Sequence, residues 1–523
     1  MKGLDVRLIQ ITDLHLSDRT DTAAADALEW AIGAANRLAP DLVAVTGDIT
    51  TYGTQDAARH FLEAAANLNA PWLLTPGNAE LRTPGAMPVL SSCPASCRSL
   101  RLGEVQFLLP DTSSGKMLQS DRHLLEHELS AAGPAAILTH YPMDVLDADS
   151  RAWIEALLAE HPVELYLAGH RHFDRTRSIH GCQEIMTRGL DPDKAFGGPP
   201  GIHLLQRHDD GTWTAEAIPW PHAHNLLPAE TEHSPVGWSI HGDPLEAMQQ
   251  TQRTDLNVLE LRPREPTYNL AATADELASL RRDRAIYLSW HLPNLTWNET
   301  SAAVEGEQIV ARQVDDARAC GVDALTVHVP RIGAARMSDA QGARTDAWET
   351  FLACYDKLFR AAAADGIRLS IENIHNVPGT PEDRTSREFA TEIGEYLDWI
   401  AAVTDRIGGD ITRIGAHFDV GHARNNGALG NRQPLGDWYA RIGANITGYH
   451  IHQVRPHEET GKLTNHRDIP SVYSRTISYA GFLHAWSKSQ LNRAPLFIEV
   501  RDTEERQRTV NLFQELFAKD ETS

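Results

Sequence analysis

The apolar run that begins at Val6 ends in Asp13 and His15, one residue apart, within Gln10-Ile-Thr-Asp-Leu-His-Leu-Ser17. A carboxylate and an imidazole at the end of a strand are an oxygen and a nitrogen donor for a divalent cation. Four further stretches repeat the arrangement: Asp41–Asp48 (DLVAVTGD), Pro71–Glu80 (PWLLTPGNAE), Ala135–His140 (AAILTH) and Val163–His172 (VELYLAGHRH). Each is a β-rich apolar run stopped by Gly or a turn, with Asp, Asn or His at its end. Taken singly, such an ending is a surface turn; five in series describe ligands converging on one site. The C-terminal half shows a second series, His291, His328, Glu372, Asp419 with His422, His450 with His452, and Glu499, again at the ends of successive apolar runs.

The elements that must position these groups follow from periodicity. In the first half the strand-like runs alternate with helical spacing over Thr22–Leu38, Asp56–Leu68, Asp121–Leu129 and Ser150–Glu160, a layered α/β pattern. From Gln183 to Trp220 short strands with turn signals take over, and Arg207-His-Asp-Asp-Gly-Thr-Trp213 reads as a hairpin. The first domain is expected over 1–222, a polar, proline-bearing linker over 223–235 and the second domain over 236–523. In that second domain eight apolar runs alternate with helical stretches: Val236–Ile240, Leu256–Leu261, Ala285–Trp290, Ala324–Val329, Arg368–Ile374, Ile414–Val420, Ile446–His452 and Leu496–Val500. Eight strand-helix units predict a closed parallel barrel, whose chemistry sits at the C-terminal ends of its strands, where the second series falls.

Composition bounds the function. A chain of 523 residues exceeds one ordinary core, and no run approaches the roughly 18 apolar residues that span a bilayer. Met1-Lys-Gly-Leu-Asp5 leads straight toward the first strand, so no leader and a cytoplasmic location are expected. Five scattered cysteines do not describe a disulfide framework. With 71 acidic against 48 basic residues the formal charge is -23, which disfavours nucleic acid as a partner and leaves small anionic molecules that a bound cation can recruit. An oligomer stays open.

Asp13-x-His15, Gly47-Asp48, Gly77-Asn78, His140 and Gly169-His170-Arg-His172 resemble, in order, the motif series of the calcineurin-like metallophosphoesterases. The resemblance implies a four-layer αββα sandwich holding two divalent ions (Mn, Fe or Zn). Asp48 would bridge them, with Asp13, His15 and His172 around one and Asn78, His140 and His170 around the other; Asp48 and Asn78 take the catalytic roles. Such a pair of ions activates a water and clamps phosphate oxygens. One position departs from the family. Ala79 stands where a His usually protonates the leaving oxygen, so either another donor or a good leaving group is required, or the fold has become a sensor of a phosphorylated ligand.

Ser370-Ile-Glu-Asn373, His417-Phe-Asp-Val-Gly-His422, His450-Ile-His452 and Phe497-Ile-Glu-Val500 resemble the xylose isomerase-like barrels, a superfamily of sugar and sugar-phosphate isomerases and epimerases that also holds endonuclease IV. The resemblance implies a (β/α)8 TIM barrel with at least one divalent ion (Mn, Zn, Co or Mg) on Glu372, Asp419, His450 and Glu499. Glu372 and Glu499 would exchange a proton on carbon. His291, His328, His422, His452 and His466 would be further ligand or substrate contacts; of these, His291, His328 and His466, with His422, fall where the three-metal endonuclease branch has ligands for hydrolysis, and Thr464 replaces an Asp of that branch and leaves its third site incomplete. Arg331, Arg455 and Arg467 follow strand ends and could hold a phosphate. The expectation is a bifunctional enzyme: the first domain opens a sugar-containing phosphodiester or cyclic phosphate, and the barrel isomerises or epimerises the sugar phosphate released or, as the alternative, removes its phosphate.

Overall fold

The runs that end in ligand residues are strands of the N-terminal sheets: β1 (Arg7–Ile11), β2 (Leu42–Thr46), β3 (Trp72–Thr75), β4 (Ser99–Leu102), β5 (Val105–Leu108), β6 (Ala135–Leu138), β7 (Val163–Ala168), β8 (Arg175–Ile179), β9 (Cys182–Met186), β10 (Gly201–Arg207) and β11 (Trp213–Pro219). This is seen in a computed structural model, which describes residues 6–131, 133–223, 235–263, 268–377, 379–408 and 413–517. One sheet has the order β11-β10-β1-β2-β3 and the other β4-β5-β6-β7-β9-β8. The β4-β5 hairpin lies outside the runs read from sequence, although Leu100 and Leu102 alternate with polar residues ahead of a Gly103-Glu104 turn.

Strand periodicity of two sends successive side chains to opposite faces, and here both faces are apolar. Ile9, Ile11, Val43 and Val45 pack with Ala27, Leu28 and Ala31 of α1 (Ala23–Leu38) and Phe61 of α2 (Gln55–Ala65). Their neighbours Leu8, Leu42 and Ala44 meet Phe107, Leu138, Leu165 and Leu167 of the second sheet. The far side of that sheet, with Ile137, Tyr166 and Ala168, is covered by Leu125 and Leu129 of the helix Gln119–Leu129 and by Ile154 and Leu158 of the helix Ala148–Glu160. The layers run helix, sheet, sheet, helix. Burying a Leu- or Ile-sized side chain in such a layer contributes about 1.5–3 kcal/mol relative to leaving it in water.

The C-terminal strands are β12 (Val236–Gly242), β13 (Val258–Pro263), β14 (Tyr287–His291), β15 (Thr296–Asn298), β16 (Ala303–Glu305), β17 (Ala324–His328), β18 (Arg368–Glu372), β19 (Ile414–Asp419), β20 (Ile446–Ile451), β21 (Gln453–Pro456), β22 (Leu463–Arg467) and β23 (Leu496–Ile498). Eight of them, β12-β13-β14-β17-β18-β19-β20-β23, close a parallel barrel, while β15-β16 and β21-β22 are separate ribbons. Trp290 and Trp348 are core residues: Trp290 Nε1 donates to Gln313 Oε1 and Trp348 packs edge-on against Trp399.

The chain divides into two units, Met1–His222 with Val472–His484, and Ala223–Ser471 with Ala485–Ser523. The segment Val472–His484, which the sequence places with the barrel, thus groups with the first unit. Local bonds explain it: Ser478 N–H donates to the Asp193 carbonyl at 2.9 Å, and His484 Nε2 lies 2.6 Å from Asp26 Oδ2. Residues 224–234 of the expected linker, with His224 and His233, lie outside the described residues. Among the described residues no helix is long and apolar enough to cross a membrane.

Candidate functional site

In the first unit the five strand-end motifs meet. Asp13, His15 and His172 form one group and Asp48, His140 and His170 a second. Asp48 lies between them, with Oδ2 3.6 Å from His15 Nε2 and Oδ1 3.4 Å from His140 Nε2. His172 Nε2 is 3.5 Å from Asp13 Oδ1, and Asn78 Oδ1 is 3.3 Å from His140 Nε2. Five of these seven residues have left-handed backbone: Asp13 (φ 52°), His15 (49°), Asp48 (47°), His170 (71°) and His172 (59°). For residues with a Cβ this conformation is strained, and its concentration here marks loops shaped to aim side chains rather than to connect strands at least cost.

Outer bonds fix each group. Thr12 Oγ1 donates to Asp13 Oδ2 at 2.9 Å, His170 N–H donates to the same oxygen at 3.0 Å, and Ala79 N–H donates to Asp48 Oδ1 at 2.8 Å. His140 Nδ1 lies 2.9 Å from the Thr46 carbonyl, which can only accept; Nδ1 therefore carries a proton and Nε2 faces Asp48 and Asn78. Burial, with Lys194 next, holds His15 and His172 well below the ordinary imidazole range, so both are neutral, the form that ligates a cation. Burial also pushes Asp13 up to about 7. It opposes charge on His140, which Asp48 nonetheless carries up to about 9. His15 is 5 % exposed and neither ring nitrogen has a hydrogen-bond partner. Two buried carboxylates beside the unpartnered nitrogens of His15 are donors suited to a cation pair, and the residues fit it.

In the barrel, Glu372 is the centre. Its Oε2 lies 2.8 Å from His291 Nε2 and 3.2 Å from His328 Nε2, and its Oε1 3.0 Å from His450 Nδ1. The same His450 Nδ1 is 3.1 Å from Glu499 Oε2 and 3.8 Å from Asp419 Oδ2. Asp419, His422, His452 and His466 form a further group, with His452 Nε2 3.1 Å from Asp419 Oδ1. Thr464 points elsewhere, donating to the Arg455 carbonyl at 3.0 Å, and His452 stands beside Asp419 and His466 instead. Of the three arginines, Arg331 pairs with Glu388, Arg455 with Asp468, and Arg467 lies against Thr464.

Glu260 is a candidate site residue that the strand reading passes over. It is fully buried, accepts from Ser239 Oγ at 2.7 Å and Thr326 Oγ1 at 2.8 Å, and lies 2.6 Å from His450 Nε2. Burial disfavours charge on His450, yet Glu260 and Glu372 carry its pKa up to about 10. Glu260 holds the Nε2 proton and the Nδ1 proton lies among three carboxylates, so a cation ligated at Nδ1 would displace that second proton and keep Glu260 as the outer carboxylate of the histidine. His291 is set the same way: its Nδ1 is 3.0 Å from the Leu292 carbonyl, leaving Nε2 for Glu372 and its neighbours. The signal for Glu260 was a carboxylate inside an otherwise apolar alternation, Leu259-Glu-Leu261. Arg262 and His241, also unassigned from sequence, flank Glu499 at the rim. A buried carboxylate oxygen without a bond, Glu499 Oε2, completes the fit to a cation.

A family model described as calcineurin-like phosphoesterase matches residues 6–174, and one described as xylose isomerase-like TIM barrel matches residues 248–516. Among curated proteins none matches. Solved structures that are similar include an endonuclease IV from Thermus thermophilus (16% identity, 53% of this chain and 98% of that one, TM-score 0.38). A D-tagatose 3-epimerase-like protein shares 16% identity over 53% of this chain and 96% of its own, TM-score 0.36. A purple acid phosphatase from yellow lupin (Lupinus luteus) seeds shares 12% over 42% of this chain and 55% of its own, TM-score 0.34. Both matched families are families of enzymes, and with the barrel family's pattern running through more than half of its length, the chain belongs to the xylose isomerase-like TIM barrels and carries a calcineurin-like phosphoesterase domain ahead of the barrel.

Proposed function

We propose that this is a bifunctional metal-dependent enzyme whose first unit hydrolyses a small sugar-containing phosphodiester or cyclic phosphate and whose barrel acts on the sugar phosphate released. The observation that carries the first half is the placement of Asp48 between two histidine cages. Divalent ions in such cages supply an activated water and counter-charge for the phosphate. The chain's own part is positional: Asp48 spans the cages, the Ala79 amide fixes its carboxylate, and His140 and Asn78 close the far side. The Ala79 methyl offers no proton, so a leaving group that departs with little protonation suits this site. The acidic surface supports a small substrate over a nucleic acid.

For the barrel, the ligand supply favours phosphate-ester hydrolysis. One cation on Glu372, Asp419, His450 and Glu499 leaves His291, His328, His422, His452 and His466 with no ligand role, although all lie within the same groups. The isomerase or epimerase reading draws on a different observation: Glu372 and Glu499 stand 3.0 and 3.1 Å from one nitrogen of His450, so two carboxylates share one centre, and proton exchange on carbon uses such a pair.

Asp48→Asn and Glu372→Gln in the full chain test both halves. Asp48→Asn is expected to lower turnover of bis(p-nitrophenyl) phosphate about 100-fold or more, while phosphate release from sugar phosphates persists and is lost only in Glu372→Gln. Sugar interconversion without phosphate release assigns the barrel to isomerisation. No diester turnover by the metal-loaded parent protein makes the first unit a ligand-binding module.

A further inference from the structure

The structure assigns to Arg262 the anionic group of the barrel's substrate: we propose that its guanidinium holds the phosphate of a sugar phosphate, and that its bond to Glu499 is a resting arrangement given up when Glu499 serves a cation. The inference rests on the reading of the barrel as a metal enzyme acting on a sugar phosphate.

Arg262 lies near the C-terminal end of β13, the end at which a barrel's chemistry is done. Its side chain is 14 % exposed and contacts Glu499 Oε1 through Nη1. Among the described residues its remaining N–H groups make no other hydrogen bond. With His241, His291, His328 and Asn294 it lines a cavity of about 220 Å3 at the mouth. A guanidinium has five donors in a planar fork matched to phosphate or carboxylate geometry, so one contact leaves most of its capacity available to an anion that enters the cavity.

Glu499 explains why the pairing is provisional. It is 2 % exposed. Its Oε1 meets Arg262 and lies 3.4 Å from His466 Nε2, while its Oε2 faces His450 Nδ1 at 3.1 Å and makes no hydrogen bond. The carboxylate is thus shared between a cation at the rim and the ligand groups below. With positive charge below, attraction to Arg262 weakens, and a guanidinium this enclosed requires a new anion. Of the arginines that the sequence suggested for this task, Arg331 and Arg455 are committed to Glu388 and Asp468, and Arg467 lies against Thr464; none of the three lines this cavity. His241, 3.5 Å from Glu499 Oε1, lines the same cavity and offers a further ring nitrogen to an anion held there.

The test uses the full chain with Asp48→Asn to silence the first unit, loaded with Zn2+, and inorganic phosphate as the probe in calorimetric titration. Arg262→Met on this background is expected to weaken phosphate binding about tenfold or more, with zinc content unchanged. Arg262→Lys recovers part of the affinity, as a charge without the fork. Thermal unfolding provides a second measurement: Arg262→Met lowers the midpoint of the metal-free protein, where Glu499 loses its partner, and not that of the zinc-loaded protein. Equal phosphate affinity in parent and Arg262→Met, or equal loss of midpoint in both metal states, overturns the role of Arg262 and leaves the sugar-phosphate reading standing. A zinc-loaded parent that binds no phosphate overturns that reading and Arg262's role together.

Discussion

At the scale of single residues, Ala79 has no exposed surface, and its amide is already spent on Asp48 Oδ1, so a larger side chain there must move its neighbours. Overpacking of this kind costs about 1–3 kcal/mol. Ala79→His is nonetheless expected to raise turnover at least tenfold on diesters with alkyl leaving groups, because a general acid contributes about 10²–10⁴-fold where the leaving oxygen must be protonated. On bis(p-nitrophenyl) phosphate the same variant brings no gain. The ratio of the two rates is the measurement, and equal effects on both substrates would show that Ala79 is neutral to proton supply. Individual ligands were legible because each ended an apolar run: Asp13, Asp48, His140, Glu372 and Glu499 all do so. Glu260 was not, since a carboxylate in mid-strand gains its meaning only from Ser239, Thr326 and His450, which arrive from three other strands.

At the scale of elements, all eight barrel strands were legible because strands covered on both faces read as short apolar runs between helical stretches, and the same holds for β1, β2, β6 and β7. The backbone between a strand's end and its ligands was not legible. Asp13, His15, Asp48, His170 and His172 carry left-handed angles that propensity gives to glycine, and only the surrounding contacts stabilise them. Gly169 shows how close those contacts are: a Cβ there would fall 2.5 Å from Asp13 Oδ2 and nearer still to Thr12 Oγ1. Gly169→Ala is therefore expected to displace Asp13 from the bond that Thr12 gives it, to lose the ion held with His15 and His172, and to lower the unfolding midpoint. Gly181→Ala is the control. Its φ of +85° adds a backbone strain that Gly169 does not have, but nothing lies within 4 Å of the new Cβ, so it costs about 1 kcal/mol or more and keeps both ions. Full metal content in Gly169→Ala, measured by elemental analysis, would show that the close approach at Gly169 does not position Asp13.

At the scale of the whole molecule, the sequence gives no sign that Val472–His484 groups with the first unit, because the residues that bind it there, Asp26 and Asp193 among them, lie hundreds of positions away and have no periodicity in common with it. What the sequence does show at this scale is charge. A formal -23 includes at least six fully or nearly fully buried carboxylates at the two centres, Asp13 and Asp48 in one unit and Glu260, Glu372, Asp419 and Glu499 in the other. Buried carboxylates are costly unless compensated; His140 and His450 offset part of the charge as imidazoliums and hydrogen bonds offset more, while the neutral His15 and His172 do so only through a shared cation. Cation binding must then stabilise the native state by mass action, about 2.7 kcal/mol at a hundredfold excess over the dissociation constant. Chelation is accordingly expected to lower the unfolding midpoint, and elemental analysis of the loaded protein to find about four or five ions per chain, two of them in the first unit. Asp48→Asn and Glu372→Gln should each remove ions from their own unit and leave the other's count intact, since each residue's ligand group among the described residues is drawn from its own unit. A count of about three, with only one ion sensitive to Glu372→Gln, would reduce the barrel to a single-metal centre and return it to sugar isomerisation or epimerisation.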